Sequence, residues 1–219
     1  MRERVLLWPC LVCAASLLVE LPAHWPVAWA GVPASAVQGT LWRGQAARLG
    51  DVGPLRWRFQ PGQLRAQLWL GYQGQDWHAE VSGWPWHWRG RIEALASAAT
   101  VTPGYRLAGQ WQGQLDLTGR WRRCVDAQGR LQTQALALVA PWSLDLGQGW
   151  LQMRCAPDWQ LQGALDLEGE HRLDLDASLM ARHARLAFAV QPQAALTPLL
   201  RGAQWLGPEA AHGERQLRW

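Results

Sequence analysis

From about Ala36 onward, apolar residues recur at every second position. Leu64, Ala66, Leu68 and Leu70 alternate with Arg65, Gln67 and Trp69, and Leu107, Trp111, Leu115 and Leu117 with Gln110, Gln112, Gln114 and Asp116. Leu161, Leu165 and Leu167 oppose Gln162, Asp166 and Glu168, and Leu186, Phe188 and Val190 close the series. Successive side chains of a strand point to opposite faces, so this period predicts strands with one wet and one dry face. Such strands belong in antiparallel sheets, since crossover helices would cover both faces. Glycines at 71, 74, 83, 104, 129, 147, 149 and 169 read as turn signals between them, favouring hairpins and meanders. The expectation is a mainly β protein, either an extended curved antiparallel sheet or a sandwich. Only Gln193 to Leu206 has helical spacing, with Leu196, Leu199, Leu200 and Trp205 on one stripe.

Composition narrows the class of protein. A hydrophobic content of 49% excludes disorder, and 219 residues suit one sizeable domain with something small attached. All 21 basic residues are arginine, and lysine and asparagine are absent, a bias that GC-rich coding produces without any phosphate-seeking chemistry. The arginines are dispersed, densest at Arg122-Arg123 beside Trp121, so no nucleic-acid stripe forms. Seventeen tryptophans against two tyrosines and two phenylalanines imply large apolar areas whose indole N–H groups must find acceptors. Gly113–Gly119 is echoed by Gly163–Gly169, a similarity that shared strand chemistry or two related sheet halves would produce. The second reading places a subdomain boundary near 98–104.

The N-terminus predicts export. Arg2 and Arg4 precede an apolar run from Val5 to Val19, and after Glu20 the next basic residue is Arg43. The run alone is shorter than the ~20 residues that cross a bilayer. It lengthens if it continues through Leu21, Ala23, Trp25 and Val27 to Trp29. A cleaved signal is the rival reading, because Ala28-Trp29-Ala30 has the small-x-small form before Gly31. Either way the organisation is residues 1–30 as cytoplasmic tip and membrane segment, then 31–219 as an exported β-rich domain. Cys10 and Cys13 sit inside the run as small hydrophobes. Cys124 and Cys155 remain as one pair in the exported part, where an oxidising compartment joins them.

Catalytic motifs are missing: the sequence has no GxSxG, HExxH or P-loop, and Gly147-Gln148-Gly149 is only the first half of a dinucleotide fingerprint. The histidines (24, 78, 87, 171, 183, 212) are too scattered for a metal site. Asp166, Glu168, Asp174 and Asp176 flank Gly169 and could face one another across a hairpin as a cation site or an acid/base pair, but beside Arg172 they read better as a solvated strand face. No enzyme, cofactor or metal is expected. Trp84, Trp86 and Trp88 alternate with Pro85, His87 and Arg89, which predicts three indoles on one face of a single strand, with Trp77, Trp111 and Trp121 adding to the wall. That face either packs on a second sheet or lines a groove for an acyl chain, a sugar or a partner strand. Pro85 favours an edge strand.

Several segments together resemble the type II secretion system protein N family. They are Leu21-Pro22-Ala23, Val37-Gln38-Gly39-Thr40-Leu41-Trp42-Arg43-Gly44-Gln45-Ala46 and Leu55-Arg56-Trp57-Arg58-Phe59-Gln60-Pro61-Gly62-Gln63-Leu64. Near the end come Leu199-Leu200-Arg201-Gly202-Ala203-Gln204-Trp205-Leu206-Gly207 and His212-Gly213-Glu214-Arg215. The resemblance implies a non-enzymatic accessory part of the apparatus that exports folded proteins across the outer membrane. It implies one N-terminal inner-membrane span, a periplasmic domain and other secretion components as partners, and it favours the anchor over the cleaved signal. Gly39, Thr40, Leu41, Trp42, Gly44, Trp57 and Pro61 carry the resemblance most specifically, and a Trp42–Trp57 cross-strand pair would fix register there. The alternative function is a periplasmic lipid-binding β-groove of the AsmA-like kind.

Overall fold

The computed structural model describes residue 16 and residues 20–29, 31, 33–50, 52–72, 75–95, 106–140, 143–156 and 158–219. The run from Val5 to Val19, apart from Ser16, lies outside the described residues, as do Cys10, Cys13 and the 98–104 stretch. Among the described residues no helix is long and apolar enough to cross a membrane. The chain divides into two units, Met1–Tyr72 and Gln73–Trp219.

In the first unit a short helix α1 (His24–Trp29) is followed by β1 (Ala34–Ser35), β2 (Gln38–Gly39), β3 (Arg43–Ala46) and β4 (Arg48–Leu49). Then come β5 (Leu55–Gln60), a 3-10 turn (Pro61–Gln63) and β6 (Arg65–Tyr72). Strands β6, β5, β3 and β2 neighbour one another in that order, all antiparallel, and β1 pairs separately with β4. Residues 21–23 run alongside the β2–β3 hairpin. Pro22 bridges Thr40, the Leu41 N–H donates to the Leu21 carbonyl (2.9 Å), and the Ala23 N–H donates to the Gly39 carbonyl (3.0 Å). A helix continuing unbroken to Trp29 is therefore not what this end of the apolar run forms. A proline resists the helix interior, and here the backbone turns instead to the hairpin.

The second unit is one sheet. Its strands are β7 (Gln75–Trp84), β8 (His87–Leu95), β9 (Arg106–Ala108), β10 (Gln112–Arg120), β11 (Arg123–Ala140) and β12 (Leu144–Arg154). After them come β13 (Gln160–Leu167), β14 (His171–Ser178), β15 (His183–Val190), helix α2 (Leu196–Gly202) and β16 (His212–Arg218). The order is β16-β15-β14-β13-β12-β11-β10-β8-β7, with β9 against the far end of β11, and every pair is antiparallel. Of the two expected architectures the curved sheet forms. No second sheet faces it among the described residues of this unit.

The period of two survives as two chemically distinct faces. Register places Leu115 beside Ile92, Leu151 beside Gly163, Gly163 beside Leu175 and Leu175 beside Leu186. The opposite face carries ion pairs: Arg91–Asp116 (2.8 Å), Arg172–Asp174 (3.1 Å) and Arg185–Glu214 (2.6 Å), each carboxylate raising the pKa of its arginine by hydrogen bonding and charge. Glycine placement differs from expectation. Gly129 and Gly147 lie inside β11 and β12, both at positive φ. Several turns instead use Pro85-Trp86, Trp121-Arg122 and Leu179–Arg182, with Trp121 and Arg182 left-handed. Gly169 is in a turn, as predicted.

Two cores seal parts of the dry face. One gathers Leu115, Leu117, Leu131 and Met153, with Trp77, Trp88, Trp111 and Trp159 packed around them. The other is closed by α2, whose Leu196 and Leu200 bury against Leu144, Phe188, Val190 and Leu206. Thr197, the most buried side chain of that helix, donates its hydroxyl to the Gln191 carbonyl (2.6 Å). The helix is shorter than the 193–206 reading because Trp205 and Leu206 turn back onto the Leu200 carbonyl. Truncating Leu200 to alanine removes the middle of this lid and should cost about 2–4 kcal/mol. Denaturant melting of the full chain measures it.

Candidate functional site

In the first unit the segments singled out in the sequence converge on one hairpin. Thr40, Leu41 and Trp42 make the turn between β2 and β3, and Trp57 on β5 lies directly opposite Gly44. The Trp57 indole spreads over Gly44, where any Cβ would collide with the ring. Its N–H is shared between the Thr40 carbonyl (3.3 Å) and the Leu41 carbonyl (3.2 Å). The register partner of Trp57 is thus Gly44 and not Trp42. The bare glycine gives the ring its bed, and the ring holds the turn. Trp42 contributes its carbonyl, which accepts from the Phe59 N–H at 2.6 Å. Pro61 starts the 3-10 turn into β6, where its missing N–H costs nothing.

The same device recurs in the second unit. Trp88 on β8 lies opposite Gly119 on β10, and its ring occupies the space a Cβ would need. Its N–H donates to the Trp121 carbonyl (2.9 Å) in the β10–β11 turn. Trp159, just before β13, donates to the next carbonyl, Arg122 (2.8 Å). The two indoles stack with centroids 5.7 Å apart and planes 2° from parallel. Strands β8 and β13 are four steps apart in the sheet, about 19 Å if it were flat. Their contact therefore requires the sheet to curl around this end. The Cys124–Cys155 disulfide joins β11 to the segment after β12 beside the same turn, with Cα atoms 5.1 Å apart.

The tryptophan wall needs correcting. Trp84 ends β7, Pro85 and Trp86 form a two-residue turn, and Trp88 is already on β8. These residues make a hairpin rather than one strand face, because proline at the first central position presets a tight turn. The edge-strand reading of Pro85 falls with it. Trp84 stacks on Trp86 (4.8 Å, 10°), and Trp86 meets Trp121 of the neighbouring turn (6.3 Å). The Trp121 N–H donates to the Pro85 carbonyl (2.7 Å), tying the two turns together. Trp84, Trp86 and Trp121 are 52%, 50% and 65% exposed, whereas Trp88 is turned inward. Trp77 and Trp111 meet each other instead (6.2 Å) within the first core. The result is a double tip of two hydrogen-bonded turns that carries three solvent-facing indoles.

The acidic residues around Gly169 do not converge. Asp166 faces Arg172, Asp174 pairs with Arg172, and Asp176 lies opposite Gln162. No group of histidine, cysteine or carboxylate side chains able to hold a metal forms among the described residues.

Residues 30–218 match the family model described as type II secretion system (T2SS), protein N. The chain belongs to that family. It is therefore a type II secretion component of an accessory family, one that associates with other parts of the apparatus. No curated protein and no solved structure matches it. The ring-on-glycine bed gives a direct test. Gly119→Ala should displace the Trp88 ring, cost about 1–3 kcal/mol and alter tryptophan fluorescence. Reducing the Cys124–Cys155 bond should lower stability by about 3–4 kcal/mol for a loop of this length. Melts with and without reductant measure the second effect.

Proposed function

We propose that this protein is a non-enzymatic accessory component of the type II apparatus, held in the inner membrane by a single N-terminal span with its β-rich units in the periplasm. The export signature of the N-terminus and the family match support that topology. The double tip is its docking surface for another protein of the machinery. Three indoles offer large amphipathic area, and tryptophan dominates interface energetics when it is held ready. Here the readiness is built in, by the Trp121–Pro85 hydrogen bond and the stacked Trp88–Trp159 pair behind the tips. The observation that carries this reading is the contrast between half-exposed Trp84, Trp86 and Trp121 and inward-facing Trp88.

A second reading is favoured by one feature. The dry face of the second unit is a single layer, with Leu165 and Leu175 only half-buried, which leaves apolar surface for an acyl chain to cover as in AsmA-like proteins. The two readings make different demands on the tryptophans. In the docking reading, Trp84→Ala with Trp121→Ala leaves stability within about 1 kcal/mol of the parent, as exposed positions do. It should nevertheless lower export of a secreted substrate about fivefold or more, the loss expected when interface anchors are removed. Trp88→Ala should instead cost about 2–4 kcal/mol. Thermal melts and a complementation assay for secretion separate these outcomes. Undiminished export by the double variant rejects the docking reading.

A further inference from the structure

The arginines that look dispersed along the sequence are not dispersed in the first unit. Residues 1–72 hold seven arginines and three carboxylates, and residues 73–219 hold fourteen of each, so the whole formal excess of +4 belongs to the first unit. Between Gly31 and Tyr72 there are five arginines and one carboxylate, Asp51. Register then concentrates them. Arg43 on β3 lies directly opposite Arg58 on β5, and Arg56, two residues before Arg58, lies opposite Gln45 and Trp69. All of these side chains share one face, the one opposite the Trp57 ring. Arg43, Arg56 and Arg58 are exposed, and none makes an ion pair among the described residues. Together with Gln38, Gln45 and Trp69 they line a shallow cleft of about 470 Å³.

Like charges directly opposite on neighbouring strands are destabilising. The second unit gives Arg91, Arg172 and Arg185 a carboxylate each, and its own facing pair, Arg120 opposite Arg123, sits at the β10–β11 turn. The first unit adds a third arginine, Arg56, to the same face as its facing pair and brings no carboxylate to it, which is the arrangement of a surface completed by an anion. Arginine suits phosphate in particular, because its planar fork donates two parallel hydrogen bonds.

The position of this face identifies the anion. Leu21, only two residues beyond the apolar run, accepts a hydrogen bond from Leu41, and Ala23 donates to Gly39. Two residues span at most roughly 7 Å. Where Val5–Val19 is the membrane anchor, local bilayer thinning and snorkelling of Arg2 and Arg4 make up its short length, and the hairpin bearing Arg43 is stitched to the chain as it leaves the bilayer. We infer that the Arg43–Arg56–Arg58 face binds the phosphate headgroups of anionic phospholipids at the membrane surface from which the chain emerges. This rests on the anchor reading of residues 5–19. The contact gives the first unit a fixed seat on the membrane, a second attachment beside the apolar one.

The test uses the full chain in nanodiscs of phosphatidylcholine alone, or of an equal mixture with phosphatidylglycerol, probed with the arginine-selective reagent phenylglyoxal and read by peptide mass spectrometry. The anionic mixture should slow labelling of Arg43, Arg56 and Arg58 about fivefold each, the advantage a basic residue gains at an anionic surface. High salt should abolish the protection, and Arg130, on the second unit, should label equally in both discs. In the Arg43→Gln/Arg58→Gln variant, Arg56 should lose its protection while the melting temperature holds or rises, since the facing charges are gone. Equal labelling of the three arginines in neutral and anionic discs overturns the inference, as does protection of Arg56 that survives in the variant. Failure of the anchor reading shows separately, as a chain that does not co-elute with discs of either composition.

Discussion

An aromatic ring laid on a bare glycine of the next strand is the contact on which both units depend. Trp57 lies on Gly44, Trp88 on Gly119 and Phe188 on Gly213, each pair directly opposite in register. A glycine within a strand is a weak point, with excess backbone freedom and nothing to pack. The ring removes both faults by covering the gap. It also fixes register, because a one-residue slip would drive the indole into a side chain. Where the ring is tryptophan, its N–H reaches on to the turn carbonyls, so one residue secures pairing and turn together. Trp57 and Trp88 find acceptors for their indole N–H groups in this way.

The second unit adds closure to that device. Trp88 and Trp159 approach from opposite sides of the β10–β11 turn and donate to consecutive carbonyls, and the disulfide anchors the same region. A turn held this way presents Trp84, Trp86 and Trp121 with little freedom left to lose, and preorganisation is what converts exposed aromatic area into affinity. Exposed indoles clustered in this way are unusual on a surface with no partner. The fold thus spends its structural tryptophans behind the tip and its exposed ones on it.

Much of the fold was legible in the sequence because side-chain period is a local property. The alternation around Leu64–Leu70 and Leu161–Leu167 identified β6 and β13, and the stripe at Leu196 and Leu200 found α2. Cysteine arithmetic found the disulfide. What failed was information that depends on register. Trp84, Trp86 and Trp88 have the period of a strand, and only the preference of Pro85 for a turn distinguishes a hairpin from it. Mid-strand glycines such as Gly129 were read as turns because a positive φ inside a strand, where a Cβ would meet the Gln114 carbonyl, and a glycine turn look alike in sequence. The arginine face was invisible for the same reason: Arg43 and Arg58 are fifteen residues apart and meet only across the β3–β5 ladder. The motif around Gly39 and Gly44 did signal family, and its chemistry proved to be the bed for Trp57.

The claim that the tip engages the secretion machinery can be tested most directly by placing a photo-crosslinking amino acid at Trp121 in secreting cells. A second copy of the experiment carries the probe at Leu179, an exposed residue of a different turn. The account predicts an adduct from position 121 that contains another component of the apparatus by mass spectrometry, and that disappears when the remaining secretion genes are deleted. An adduct that persists without those genes, or one that forms from Leu179 and not from Trp121, would contradict it.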